Sequence, residues 1–196
     1  MASREQILAA LRAAAPEEVP LPDLSALGAK WDDLRERFSQ SVTEVGGRCV
    51  RVAGSASIES ELENIPAYVT AAKVVSLVPG VLRANVDLSK VTDPHELNDV
   101  DFCVLEGDLA VAENGAVWVT NHGGPNRAVA FLAQHLAVIV RAGTLVPDLH
   151  QAYQKLSMPV PGFSMFLSGP SKTADIEQAL VIGAHGARSC TVLLVG

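Results

Sequence analysis

The chain has 196 residues, of which 48% are hydrophobic and 19% are charged, a length and composition typical of one globular domain with its own core. Its net charge of -7 argues against a nucleic-acid partner or an anionic membrane surface. Three isolated cysteines, Cys49, Cys103 and Cys190, lie in apolar runs, a pattern typical of free thiols in a reducing compartment.

The cysteine spacing contains no CxxC pair, so we expect no iron–sulfur or structural zinc site bound by thiolates. The sequence also has no recognisable Gly-rich CoA or dinucleotide fingerprint, and we expect no bound cofactor. Charged residues at Arg4, Glu5 and Arg12 interrupt the apolar core that a signal peptide would need. No run of about 18 apolar residues is present. From the sequence we therefore expect a cytoplasmic protein.

The first part of the chain reads as a helical extension. Residues 3–15 are expected to form a helix with one apolar face, and prolines then make a stiff connector before a second helix at 31–41. We assign residues 1–41 to this extension with its Pro-rich strap and residues 42–196 to an α/β domain. The extension either packs against its own domain or reaches a second copy, which makes a homo-oligomer one alternative.

Beyond residue 42 strands and helices alternate, which predicts an α/β fold with a mostly parallel sheet and flanking helices in three layers. Strands are expected at 49–52, 74–78, 100–105, 109–112, 116–120, 137–140, 163–167 and 191–195. Helices are expected at 57–72, where Pro66 kinks or divides the helix, at 126–134 and at 144–156.

Two of these strands are joined by a tight turn. Asn114 and Gly115 both tolerate positive φ, so the pair predicts a β-hairpin between 109–112 and 116–120. This places Glu113 on an accessible turn next to a glycine. A carboxylate in that position is either a nucleophile or an exposed hairpin residue, and both interpretations remain open.

The stretch Ser168–Glu177 is the most distinctive part of the sequence. We expect a polar loop followed by a short helix, which together connect the strands 163–167 and 191–195 as a crossover between parallel strands. The loop would then lie at the carboxyl ends of the strands, where such sheets bind ligands. Donor groups and free helix amides would cradle an anion there, although helix capping beside a solvated lysine explains the same pattern. The residues concerned are Gly169, Ser171, Lys172, Thr173, Asp175 and Glu177.

This stretch, together with the run 183–188 that follows it, resembles the lactate-utilisation C-type or LUD domain family. The hairpin segment 112–116 and the segment 135–140 are similar to that family in the same order. The resemblance implies a fold like that of the sugar-phosphate isomerase and CoA-transferase group. It also implies a non-redox accessory role in bacterial oxidation of L-lactate to pyruvate, beside iron–sulfur partner proteins.

Two functions follow as alternatives. The first is the accessory role, with an anionic small molecule bound by the Ser168–Glu177 loop. The second is a stand-alone enzyme of the CoA-transferase or sugar-phosphate isomerase type that uses Glu113, because Glu113-Asn114-Gly115 is similar to the turn that carries the nucleophile of some CoA transferases. Further candidates for ligand contacts are Asn114, Gly115, Arg127, His135 and His185.

Overall fold

A computed structural model of the chain describes residues 3–16, 19–20, 22, 30–120, 127–156, 162–173 and 180–196. The described helices are α1 Arg4–Ala13, α2 Leu34–Glu44, α3 Ile58–Glu63, α4 Pro66–Thr70, α5 Val129–Leu132 and α6 Leu149–Lys155. The described strands are β1 Arg48–Val52, β2 Val74–Ser76, β3 Phe102–Gly107, β4 Leu109–Val111, β5 Ala116–Thr120, β6 His135–Arg141, β7 Leu145–Val146, β8 Ser164–Leu167, β9 Lys172–Thr173, β10 Val181–Ile182 and β11 Ser189–Val195.

The centre of the fold is a five-stranded parallel sheet in the order β1-β11-β6-β3-β2. Its inner strands are nearly continuous apolar runs because both faces of the sheet are covered. This confirms the predicted α/β class with a mostly parallel sheet flanked by helices. Pro66 divides the predicted helix into α3 and α4, since a proline is tolerated at the first turn of a helix but not in its interior.

One face of the parallel sheet packs against α3 and α4, where Leu62, Tyr68 and Phe102 are fully or almost fully buried. The other face packs against a second, four-stranded sheet in the order β7-β4-β5-β8. Helix α6 covers the outer side of that second sheet. The sequence indicated the β4–β5 hairpin but not the sheet around it, and β7 falls within the predicted helix 144–156, which begins only at Leu149.

The predicted crossover near the C-terminus is wrong. Strand β8 pairs antiparallel with β5 in the second sheet, whereas β11 lies in the parallel sheet, so the two strands do not share a sheet. Lys172 and Thr173 form β9 and pair antiparallel with β10, so neither residue begins a helix. The positions 174–179 of the expected helix, including Asp175 and Glu177, lie outside the described residues.

The two N-terminal helices differ in their packing. Helix α2 begins after the cap Asp33, runs across the expected domain boundary at residue 41, and buries Phe38 and Val42 completely in the core of the α/β unit. Helix α1 buries none of its residues, and its apolar side chain Leu11 is 63% exposed. None of the described helices has the length and apolar character needed to cross a bilayer.

The hairpin turn is confirmed, and its tip packs directly on α2. Gly115 has φ +66, and a Cβ added there would lie 2.7 Å from the backbone nitrogen of Val42. The buried Ser41 hydroxyl donates to the carbonyl oxygen of Ala112 at 2.6 Å, and this hydrogen bond ties the same helix to the hairpin. Only a residue without a side chain fits at Gly115, because both the backbone conformation and the close approach exclude a Cβ.

We expect Gly115→Ala to lower the free energy of unfolding by more than the roughly 1–2 kcal/mol that left-handed backbone costs a residue with a Cβ, since the contact with α2 adds to that cost. Urea unfolding of both proteins measures the difference. The matched control is Gly143→Ala, where a Cβ meets nothing within 4 Å and φ is not in the left-handed region. Equal losses at the two glycines would contradict this account of the hairpin.

Candidate functional site

Four of the predicted site residues line one pocket of about 300 Å³ at the edge where β6 and β11 begin. These residues are Gly169, Ser171, Lys172 and His185. The rest of the lining is largely apolar, with Phe131 and Leu136 among its members. The pocket lies at the amino ends of the parallel strands, not at the carboxyl ends as expected, because the loop that carries it follows β8 of the second sheet.

Lys172 supplies a positive charge to this pocket, but its ammonium group is partly engaged. Nζ donates to the carbonyl oxygen of Val45 at 2.6 Å and to that of Pro170 at 3.2 Å. Val45 is the C-terminal cap of α2, so the lysine satisfies a carbonyl at the negative end of a helix. An ammonium group has three donors, which leaves one N–H for a ligand.

The loop and the hairpin, which the sequence singled out separately, are joined in space. Ser168 Oγ donates to the carbonyl oxygen of Asn114 at 2.8 Å. Gly169 has φ +68, and a Cβ there would lie 2.6 Å from the carbonyl oxygen of Val45. The two segments and the end of α2 therefore form one packed unit that holds the loop in place.

Glu113 sits in this unit in a structural position. Its Oε1 accepts a hydrogen bond of 3.0 Å from the backbone nitrogen of Leu149, the first residue of α6. Its own backbone is held as well, because the nitrogen donates to Pro147 and the carbonyl accepts from the guanidinium of Arg37. The side chain is half-buried and does not line the pocket. These are the contacts of a residue that fixes the start of a helix.

Arg127 and His135 also lie outside the pocket. The guanidinium of Arg127 lies 6.0 Å from the ring centre of Phe163. His135 begins β6, and its Nδ1 lies 2.8 Å from Ser189 Oγ. Burial lowers the pKa of His135 from the ordinary value of 6.5, the positive charge of Arg188 lowers it further, and Asp101 opposes both. Only part of the predicted site residues therefore lies in the pocket, and the side chains of Arg127 and His135 make other contacts.

A larger cleft of about 870 Å³ opens at the opposite edge, beyond the carboxyl ends of the parallel strands. Glu106 and Arg141 line it, each at or next to the end of a central strand. Neither residue was selected from the sequence. The signal was present, because both directly follow predicted apolar strands at 100–105 and 137–140, and ligands of open parallel sheets bind beyond such strand ends.

The three cysteines are free, as the sequence predicted, with Cys103 and Cys190 buried and Cys49 half-buried. Burial raises the pKa of Cys103 and of Cys190 to about 12. Since the thiolate is the form that binds metals and attacks substrates, these two side chains behave as apolar core residues.

The class of protein follows from comparison of the sequence with models of known families. The LUD domain model matches residues 65–195, and the chain belongs to the LUD domain family. The match covers four of the five strands of the parallel sheet, β2, β3, β6 and β11, all of the second sheet, the pocket and most of the cleft lining.

Individual relatives carry the name "Lactate utilization protein C". The protein of that name from Bacillus pumilus (strain SAFR-032) is 32% identical over 57% of this chain and 49% of its own length. The one from Anoxybacillus flavithermus (strain DSM 21510 / WK1) is 27% identical over 83% of this chain and 70% of its own length. The chain spans about half the length of several of the curated relatives it matches.

Among solved structures, a DUF162 family protein from Deinococcus radiodurans superposes with a TM-score of 0.64 over 83% of this chain and 96% of that chain. The sequences are 16% identical, so the likeness supports the fold alone. The expected relation to the sugar-phosphate isomerase and CoA-transferase group stays a prediction.

We expect Glu113→Ala to destabilise the protein by about 0.5–2 kcal/mol, the range for losing a side-chain acceptor at a helix start, here in addition to the N-cap Asp148. Glu113→Gln keeps an oxygen that accepts from the Leu149 nitrogen, so its loss should be clearly smaller. Denaturant unfolding of the two variants measures this difference. An alanine variant as stable as the wild type would show that the carboxylate does not hold α6.

We expect the folded protein to lose stability as the pH falls through about 6.5, because the unfolded chain protonates at His135 before the folded chain does. The loss continues until the pH passes the lowered pKa of the folded state. His135→Gln should flatten this part of the profile of unfolding free energy against pH. The exposed His150→Gln is the matched control, since it keeps His135 and the wild-type profile. An NMR titration that places His135 above 6.5 in the folded protein would contradict the expectation.

Proposed function

We propose that this LUD-domain chain acts in bacterial utilisation of L-lactate and that its pocket at the amino edge of the parallel sheet binds a small carboxylate. The lactate role is supported by the name of the relatives, which share up to 38% identity with segments of this chain. The proposed carboxylate site depends on the charges of the pocket.

The charges of the pocket lining favour a carboxylate as the ligand. The described lining of the pocket contains Lys172 and His185 and no carboxylate, although the whole chain carries a net charge of -7. Ser171 adds a hydroxyl donor beside them. A mostly apolar concavity with a few converging donors is the usual form of a small-molecule site, and a single ammonium N–H with an imidazole suits one carboxylate group.

The proposed role is that of a component that binds and does not itself transfer electrons. The two buried thiols have pKa values raised to about 12, which disfavours the thiolate form that cluster ligation requires. In this proposal iron–sulfur partner proteins carry the electrons. The alternative, an enzyme that uses Glu113 as a nucleophile, receives less support because Oε1 of that residue already accepts from the backbone of α6.

A binding experiment tests the site. We expect L-lactate or pyruvate to raise the melting temperature of the purified protein, since a ligand at a hundred times its dissociation constant adds about 2.7 kcal/mol of stability. His185→Ala and Lys172→Ala should each weaken binding, the latter by about tenfold if it removes one charge-assisted hydrogen bond. The exposed Lys155→Ala is the control for the loss of a lysine elsewhere on the surface.

Lys172→Ala also removes the contact with the carbonyl of Val45, so ligand affinity is compared by isothermal titration and not by melting temperature alone. Failure of both acids to bind, or affinity that survives both pocket variants, would overturn the site. The wider role is tested by deleting the gene in its host. Undiminished growth on L-lactate as the sole carbon source would overturn the lactate assignment.

A further inference from the structure

We propose that the cleft at the carboxyl edge of the parallel sheet is a second binding site, for a hydroxylated organic acid that carries one negative charge. The cleft measures about 870 Å³, within the range of small-molecule sites. Its walls come from the loops that follow β1, β2, β3 and β6 and from the end of β11. This proposal depends on the residues of the cleft and not on the proposed function.

Arg141 and Glu106 are the polar groups that recognise the ligand. Both are exposed and line the cleft, and in the described part of the chain neither side chain makes a hydrogen bond or an ion pair. Glu106 pairs in register with Ile139, and Arg141 follows two residues later on the neighbouring strand. Residues two apart in a strand face the same side, so the guanidinium and the carboxylate stand on one face of adjacent strands.

The two groups have complementary chemistry. A guanidinium binds a carboxylate through two parallel N–H donors, and an ionised carboxylate accepts hydrogen bonds from hydroxyl groups. Side by side they fit a molecule that presents one anionic group and one or more hydroxyls. The side chains of Ile58, Ile139 and Val195 give the cleft an apolar floor against which a carbon chain can lie.

The remaining charges limit how much negative charge the ligand can carry. Glu59 and Asp108 line the cleft with Glu106, so three carboxylates face a single arginine. Glu59 is held in place, since its Oε1 accepts from Tyr68 Oη at 2.8 Å and its Oε2 accepts from the Leu82 nitrogen at 3.2 Å. This set has a net negative charge, so it repels a polyanion such as a triphosphate much more strongly than a ligand whose single carboxylate pairs with Arg141.

Gly143 leaves part of the cleft free of side-chain atoms. It lines the cleft, its φ lies outside the left-handed region, and a Cβ there would meet no atom within 4 Å. Neither the backbone nor internal packing explains a glycine at this position. The space beside Gly143 is therefore open to a ligand.

D-gluconate is the probe, because it has one carboxylate and a chain of hydroxyls. We expect it to raise the melting temperature of the full chain in a dose-dependent way, while sorbitol, acetate and ATP at equal concentration do so much less. Arg141→Met should weaken gluconate binding by about tenfold or more, as expected for loss of a paired charge. Glu106→Gln should weaken it less, and Gly143→Leu should abolish it by filling the cleft.

Lys172→Ala is the matched control, with affinity measured by isothermal titration, and it should leave gluconate affinity unchanged because Lys172 lies in the pocket at the other edge of the sheet. Loss of gluconate binding in Lys172→Ala would assign gluconate to that pocket and overturn the proposal. The variant Arg141→Met likewise leaves a ligand of that pocket unaffected, so failure at one site is distinguished from failure at the other. The absence of any gluconate shift would overturn the proposal. A shift that survives both Arg141→Met and Gly143→Leu, or one that sorbitol or ATP equals, would also overturn it.

Discussion

The hydrogen-bond ladder of β11 is the constraint on which the rest of the structure depends. This seven-residue strand lies between β1 and β6, pairing in parallel with β6 along its whole length and with β1 over Thr191–Val195. Without it β1 has no partner in the sheet, and α2, which packs beside β1, loses one of its contacts with the α/β unit. The first and last segments of the α/β unit are therefore paired with each other. Forming this long-range pairing costs loop-closure entropy before the stabilising contacts of the sheet are made.

The parallel direction of these strands separates two regions of different charge. At the amino edge the pocket presents Lys172 and His185, and at the carboxyl edge the cleft presents Glu106 and other carboxylates beside Arg141. The second sheet makes this separation possible. Strand β8 ends at the amino edge and delivers the loop Ser168–Lys172 there, whereas β3 and β6 end at the other edge. The two edges therefore present different side chains to a ligand, because different strands lead into the loops there.

The hairpin turn and the loop at Ser168, two segments that resemble the LUD family, hold parts of the fold together. Asn114 and Gly115 turn the chain, Gly115 lets α2 approach the turn, and Ser168 bonds to the carbonyl of Asn114. Glu113 in the same turn fixes the start of α6. These contacts join α2, the hairpin and the C-terminal loop into one unit. We therefore expect a substitution in any of these three segments to change the shape of the pocket that the loop lines.

The sequence by itself determined the α/β class, the positions of most strands, the interruption of a helix at Pro66 and the hairpin at Asn114-Gly115. These features depend on apolar periodicity and on the backbone preferences of single residues, which act locally. The tertiary structure alone decided that β8 joins the second sheet, that Lys172 pairs as a strand residue, and that Glu106 and Arg141 share a cleft. Strand partners and converging side chains arise from contacts between distant segments, and an apolar strand of four residues has the same local pattern in either sheet.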